Sequence, residues 1–360
     1  TLGRYGYQMC GNIPVRDLIA RGTRQADDPK HLWQGYIRTA DLPRVREPRQ
    51  GWVASANNPP CQPSPEFPLH GAYADGYRFR RIKESLSSVS RITPQEVAAI
   101  QTDNLSIRAL ELKDIVANIV NGSRNPLINQ AAEELLSWNA KFDLDQVGAT
   151  IWAAFWPRWV RLVGKTVLPP FAAELASSMA GGLARYLLTD GPPVFYEGDT
   201  PAGVRAAMGS ALTYLVSALG KSISEWRWGS SHHMRLEHPI VRSGRVPDWL
   251  KIAPIECAGG EGVINQRRPI EHPDGFRCAG GPSYRFMADL SADNLAYGSL
   301  IAGQSGQPGS PHYSDQTNLW PFGKLHPLLM DSNEIEAAKT SETLIGYGVK
   351  NKSTDSSLAP

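Results

Sequence analysis

From Gly76 to about Ser224 the sequence is organised in helical periods, and on both sides it falls into short β-like runs broken by glycine and proline. A central helical block flanked by strands restricts the chain to a mixed architecture, with a large helical insertion set into an α+β core. Inside the block, Thr93-Pro94-Gln95-Glu96 has the form of a capping box with proline at the first helical position. Leu105, Leu112, Ile115, Val116, Ile119 and Val120 predict a half-buried helix. Phe171, Leu175, Met179, Leu183 and Leu187 recur every four residues, as do Val204, Met208, Leu212, Leu215 and Leu219 between Thr200-Pro201 and Gly220. Both stripes read as core rather than as a cofactor-binding surface. Before the block, Tyr5–Cys10 and Gly51–Ala56 read as strands, and the five prolines between Pro59 and Pro68 require an irregular loop. After it, Phe286–Leu290 and Leu295–Ile301 read as strands. The organisation predicted is a β-rich part over 1–75, helices over 76–224, a second β-rich part over 225–345, and a polar, disordered tail over 346–360.

The 360 residues carry a net charge of +2 and are 41% hydrophobic, so a sizeable core is expected and no basic footprint for nucleic acid is present. There is no run of about 18 consecutive apolar residues, so no membrane-spanning helix is expected. The opening Thr1-Leu2-Gly3-Arg4-Tyr5 reads as a strand entered midway, which points to a fragment or a processed chain. Cys10, Cys61, Cys257 and Cys278 form no C-x-x-C pair, and a zinc site is not expected. Cys257 and Cys278 share the frame Cys-Ala-Gly-Gly; a disulfide in an oxidising compartment and a pair of buried thiols both remain open.

Three segments carry chemistry-bearing residues. Gly303 to Gln316 combines small residues and prolines with Ser305, His312, Tyr313 and Asp315. Gln307 breaks the G-x-S-x-G pattern of a nucleophile elbow, so a polar network that locks a loop is the expected role. Trp226 to Pro239 holds His232, His233 and His238 with Glu237, but no H-E-x-x-H spacing. Adjacent histidines point to different sides of a regular element, which favours structural histidines over a metal site. Ala56-Asn57-Asn58-Pro59 reads as a turn, or as a side-chain amide aimed at a developing oxyanion.

Taken in order, several segments resemble the penicillin acylase (penicillin amidase) family. They are Gly11-Asn-Ile-Pro-Val-Arg16, Trp33-Gln-Gly-Tyr-Ile37, Ala56-Asn57-Asn58, and Tyr77-Arg78 with Arg81-Ile82. They continue with Gln101-x-Asp103-x-x-Ser106-x-x-Ala109, Trp228-Gly229 with His232 and His238-Pro239, Gly281-x-Ser283-Tyr284-Arg285, and the Gly303–Gln316 segment. The resemblance runs from Gly6 to about Met330 and corresponds to the C-terminal part of the family's β-subunit.

The resemblance implies an N-terminal-nucleophile hydrolase fold, a four-layer αββα sandwich matured by self-cleavage. It implies an N-terminal Ser nucleophile upstream of this segment, acting with its own α-amino group as base. By motif position Asn57 is the oxyanion donor, and Arg81 packs near it and orients it. Thr1 does not match the family's nucleophile segment, so this segment by itself is expected to be inactive. The implied partners are the N-terminal half of the β-subunit, the α-subunit and a small acyl amide substrate such as a β-lactam side chain or an N-acyl homoserine lactone. Calcium is possible in the complete protein, its downstream ligand falling near His70, and Asp289 sits where some relatives carry a carboxylate. The implied location is periplasmic or secreted. The reading from a different class is a non-catalytic secreted scaffold or binding protein that retains the fold.

Overall fold

The computed structural model describes residues 3–15, 25–61, 69, 71, 73–192, 195–196, 198–238, 247–290 and 295–341. The chain opens with a ribbon of β1 (Gly6–Gln8) and β2 (Arg44–Arg46), paired antiparallel. Helices follow: α1 (Tyr77–Ser87), α2 (Pro94–Gln101), α3 (Ile107–Val120), α4 (Pro126–Ser137), α5 (Val147–Val167), α6 (Pro170–Ala176), α7 (Gly181–Thr189) and α8 (Thr200–Leu219). A single-turn helix, α9 (Trp228–Ser231), leads directly into β3 (His232–Met234). Then come β4 (Ile255–Glu256), β5 (Pro269–His272), β6 (Gly275–Cys278), β7 (Tyr284–Asp289), β8 (Leu295–Leu300), β9 (His326–Pro327) and α10 (Ser332–Ala338). The largest sheet has the order β4-β3-β6-β5, with β3 antiparallel to β4 and parallel to β6. A second sheet has the order β7-β8-β9. The fold is α+β.

Helix α5 is the axis of the core. Its first half, from Gly148 to Trp156, is buried along its whole length, and it packs on α8, with Trp159, Val163, Val204, Met208 and Leu212 in one buried cluster. Three deeply placed indole N–H groups find backbone carbonyls: Trp159 bonds Ala184 O at 3.0 Å, Trp226 bonds Gly220 O at 3.0 Å, and Trp228 bonds Gly259 O at 2.8 Å, whereas buried Trp320 Nε1 has no partner among the described residues. Burying an indole without such a partner would forfeit much of what its apolar area gains. The same core takes in Val263, from the loop before β5, and Phe276 of β6, so the helices and the four-stranded sheet share one interior.

Several expectations change. Gly51–Ala56 is not a strand; Ala56 N–H turns onto Asn58 Oδ1 at 2.9 Å, a local side-chain bond that replaces a sheet ladder. The Phe171–Leu187 stripe is not one helix. The chain breaks at the 3-10 turn Ser177–Met179, leaving Phe171 81% and Met179 78% exposed while Leu187 is buried. The four-residue spacing is interrupted there because Ser177 backbone lies against Gly164, where a Cβ would come within 2.4 Å. By length and composition α8 is apolar enough to cross a membrane, which the absence of an 18-residue apolar run did not anticipate. Its buried face, from Val204 to Leu215, is that of a core helix. Most of the Pro59–Pro68 loop and the whole 346–360 tail lie outside the described residues.

Candidate active site

The Ala56–Asn58 turn holds Asn57 with φ 62°, in the left-handed region that side chains other than asparagine and aspartate seldom enter. Asn57 O accepts from Ala74 N at 2.8 Å, which ties the turn to the stretch just before α1. The helix begins after Gly76, itself at φ 82°, and its first turn carries Arg78. Arg78 Nη2 donates to Ala56 O at 3.0 Å and to Asn57 Oδ1 at 2.7 Å. A guanidinium can only donate, so the amide atom facing it must be the oxygen. The Nδ2 group of Asn57 is thereby turned away from Arg78, its two N–H donors bond no group among the described residues, and the side chain is exposed. A positive charge on Oδ1 also polarises the amide and strengthens those donors.

The arginine bonded to Asn57 is therefore Arg78, a correction to the expectation for Arg81. One helical turn further on, Arg81 points elsewhere: its Nε and Nη2 bond Asp103 Oδ2 at 3.0 and 2.7 Å, and this bond raises its pKa further. From sequence the two arginines, three apart on one helix, were equally placed. The helix start at Gly76 decides between them, because it puts Arg78 in the turn nearest Asn57.

No residue of α1 is buried. Polar anchors hold it: Arg81 to Asp103, Arg80 to Glu111 Oε1 at 2.6 Å, and Asp75, just before the helix, to Arg108. Arg108 lies over the rings of Tyr77 and Trp156 at 5.3 and 5.1 Å, and burial pushes the Tyr77 phenol up. Tyr77, Arg80, Arg108, Glu111, Trp156 and Arg185 line a cleft of about 560 Å³ that starts at the base of α1.

The Gln101–Ala109 segment has a structural explanation. Ser106 caps α3 by accepting from Ala109 N at 3.2 Å, and Asp103 Oδ1 accepts from Leu105 N at 3.0 Å. Buried Arg285 then joins this turn to the second sheet, bonding Gln101 O at 2.8 Å and Asn265 Oδ1 at 2.7 Å. Asn265 N in turn bonds Asp103 O at 3.0 Å. The structure thus gathers Arg81, Gln101, Asp103 and Arg285 into one network.

Ser305 and His312 form a locked loop. Ser305 N bonds His312 O at 3.0 Å, Ser305 Oγ accepts from Gln307 N at 3.1 Å, and His312 Nδ1 lies 2.8 Å from Asp315 Oδ2. Gly303 is required there, because a Cβ would meet His312 O at 2.1 Å. His232 is fully buried and stacked on Trp228, whereas its neighbour His233 is half-buried among charged groups. Asp289 ends β7, opposite Leu295. Thr1 and His70 lie outside the described residues.

The penicillin amidase family matches residues 1–337. Penicillin acylase 2 proenzyme of Pseudomonas sp. (strain SE83) is 25% identical over 328 residues, which are 88% of this chain and 41% of that protein. Acyl-homoserine lactone acylase QuiP of Pseudomonas syringae pv. tomato is 24% identical over 363 residues, 92% of this chain and 43% of that protein. The chain therefore spans about two-fifths of the length of these relatives. The thermostable penicillin G acylase from Alcaligenes faecalis superposes with a TM-score of 0.62 at 17% identity, covering 97% of this chain and 66% of that one, a likeness of fold. With the family match extending over nearly the whole sequence, the chain belongs to the penicillin amidase family.

Proposed function

We propose that this chain is part of an acylase that hydrolyses a linear amide, and that Asn57 Nδ2 donates to the oxyanion of its tetrahedral intermediate. The Arg78–Asn57 bond carries the reading, because it fixes an exposed amide with its donors outward. The nucleophile in this reading is an N-terminal Ser on the preceding part of the protein. Its hydroxyl attacks the amide carbonyl while its own α-amino group takes the proton, and that proton then passes to the departing amine. Water next attacks the acyl-enzyme by the same route in reverse. The carbonyl oxygen becomes anionic in both steps, so a donor that waits for it lowers both barriers.

The names of the relatives give the substrate class its outline: an acyl group joined to a β-lactam nucleus or to a homoserine lactone. The reading also includes self-processing into two chains, an αββα sandwich completed by the remaining part of the β-subunit and the α-subunit, and a periplasmic or secreted location. In this scheme the segment 1–360 by itself is inactive, since Asn57 stabilises a charge that another part of the protein creates.

The test uses the complete protein. N-terminal sequencing should show a large chain that starts at Ser together with a smaller chain. A panel of acyl anilides and N-acyl homoserine lactones should be turned over, and Asn57→Ala should lower kcat by about 10²–10³ with folding unchanged. A single unprocessed chain with no turnover of the panel would leave the fold as a scaffold or binding protein, and full activity in Asn57→Ala would remove Asn57 from the oxyanion role.

A further inference from the structure

Asn57 is exposed, and α1, which carries Arg78, buries no residue. Apolar packing therefore does not by itself place the amide or the guanidinium that orients it. A small misplacement of a group at a reacting centre costs much of its effect. The corner where the two elements meet, Ala74 to Gly76, needs an anchor rooted in the core.

That corner is tied on three sides. Ala74 N donates to Asn57 O at 2.8 Å. Gly76 starts α1 at φ 82° and, as a glycine, offers no capping side chain. Asp75 supplies the missing bond: its Oδ1 accepts from Tyr77 N at 3.4 Å, and its Oδ2 accepts from Arg108 Nη2. One carboxylate thus joins the first turn of α1 to Arg108.

Arg108 is the rooted member of the pair. It lies in the first turn of α3, between buried Ile107 and Ala109, and Ser106 caps that turn. Its side chain is 12% exposed, where that of Asp75 is 44% exposed. The guanidinium lies over the Tyr77 ring at 5.3 Å and over the Trp156 ring at 5.1 Å. Trp156 belongs to the buried first half of α5 and stacks on Trp152 at 5.7 Å. A chain of contacts therefore runs from α5 through Trp156, Arg108 and Asp75 to the start of α1, and from there to Arg78 and Asn57. The other two anchors act elsewhere. Arg80, bonded to Glu111, and Arg81, bonded to Asp103, lie further along the helix than Arg78.

We propose that Arg108 is a positioning residue for acyl transfer. By holding Asp75 at the start of α1 it sets Arg78, and through Arg78 the direction of the Asn57 amide, a role that rests on the reading of Asn57 as the oxyanion donor. Arg108 itself touches neither substrate nor reacting atoms in this scheme. A donor aimed at a charge that exists only in the transition state acts on kcat and leaves ground-state binding alone. Loss of Arg108 should carry the same signature.

The test uses the complete protein. Arg108→Met keeps a straight apolar side chain against the two rings and removes the charge. It should lower kcat by about 10–10² per folded molecule, with KM little changed. Asp75 would be left facing solvent, so the midpoint of thermal unfolding should move little. Arg108→Lys keeps the charge without the planar fork and should recover part of the rate. The decisive readout is a double-mutant cycle. In an Asn57→Ala background, Arg108→Met should change kcat by less than about twofold, because the group it positions is gone. Should Arg108→Met not fold, Asp75→Asn breaks the same pair from its more exposed end and takes its place in the cycle. Wild-type kcat in the folded variant, or a loss that persists in full in the Asn57→Ala background, would overturn the positioning role while leaving the oxyanion reading intact. Wild-type activity in Asn57→Ala alone would overturn both.

Discussion

Arg78 Nη2 stands 2.7 Å from Asn57 Oδ1, and that one contact determines which end of the amide faces outward. Arg78→Ala in the complete protein should leave Asn57 free to rotate and lower kcat by about 10–10², the scale of a small misplacement at a reacting centre. Arg78→Lys should recover only part of the loss, since the more flexible, more strongly hydrated ammonium lacks the rigid planar geometry that holds Nη2 against both Ala56 O and Asn57 Oδ1. Steady-state kinetics with a matched thermal unfolding curve checks both.

The Arg81–Asp103 pair should behave differently. It joins α1, which has no buried residue, to the turn before α3. Arg81→Ala should cost about 1–3 kcal/mol of stability by leaving Asp103 unpaired in a half-buried site, as a denaturant titration would show. Loss of activity should follow loss of stability in this variant, whereas in Arg78→Ala activity should fall alone.

Gly303→Ala should destabilise the loop before the 3-10 turn Asp315–Asn318, because the added methyl would meet His312 O. Relief requires backbone movement, and about 1–3 kcal/mol is the expected cost. Differential scanning calorimetry would show it, with Gly306→Ala as the control, since nothing stands within 4 Å of a Cβ there.

Burial lowers the His233 pKa below its ordinary 6.5, with Arg235 adding to the effect. The unfolded chain then binds this proton more readily than the folded one. Stability from neutral His233 is fully present above about pH 6.5 and falls as pH drops from there towards the folded value. His233→Gln should flatten this part of the stability-versus-pH curve in urea titrations between pH 7 and 5.

Local signals survived into the structure where the local chain itself satisfies them. The Thr93–Glu96 box forms as drawn, with Thr93 accepting from Glu96 N and Glu96 accepting from Thr93 N, and Gly220 ends α8 at φ 87°. Strands β7 and β8 cover most of the two β-like runs expected there, with β7 beginning two residues earlier, at Tyr284. What sequence did not disclose depended on partners distant along the chain. Gly51–Ala56 has the composition of a strand but no strand beside it. The Phe171–Leu187 spacing suits one helix until Ser177 meets Gly164 from α5. The choice between Arg78 and Arg81 hinged on where α1 begins, a boundary that Gly76 sets through a positive φ rather than through a capping side chain. That His232, Cys257 and Cys278 share one face of a sheet follows from the β4-β3-β6 strand order, which no spacing in the sequence encodes.

The oxyanion role of Asn57 is tested most directly by a boronic acid analogue of the tetrahedral intermediate, measured against the complete protein and its Asn57→Ala variant. The boronate oxygen takes the place of the oxyanion, so losing the Nδ2 donor should weaken inhibition by about 10²-fold while the KM for substrate changes little. Equal inhibition of the two folded proteins would contradict the assignment of Asn57.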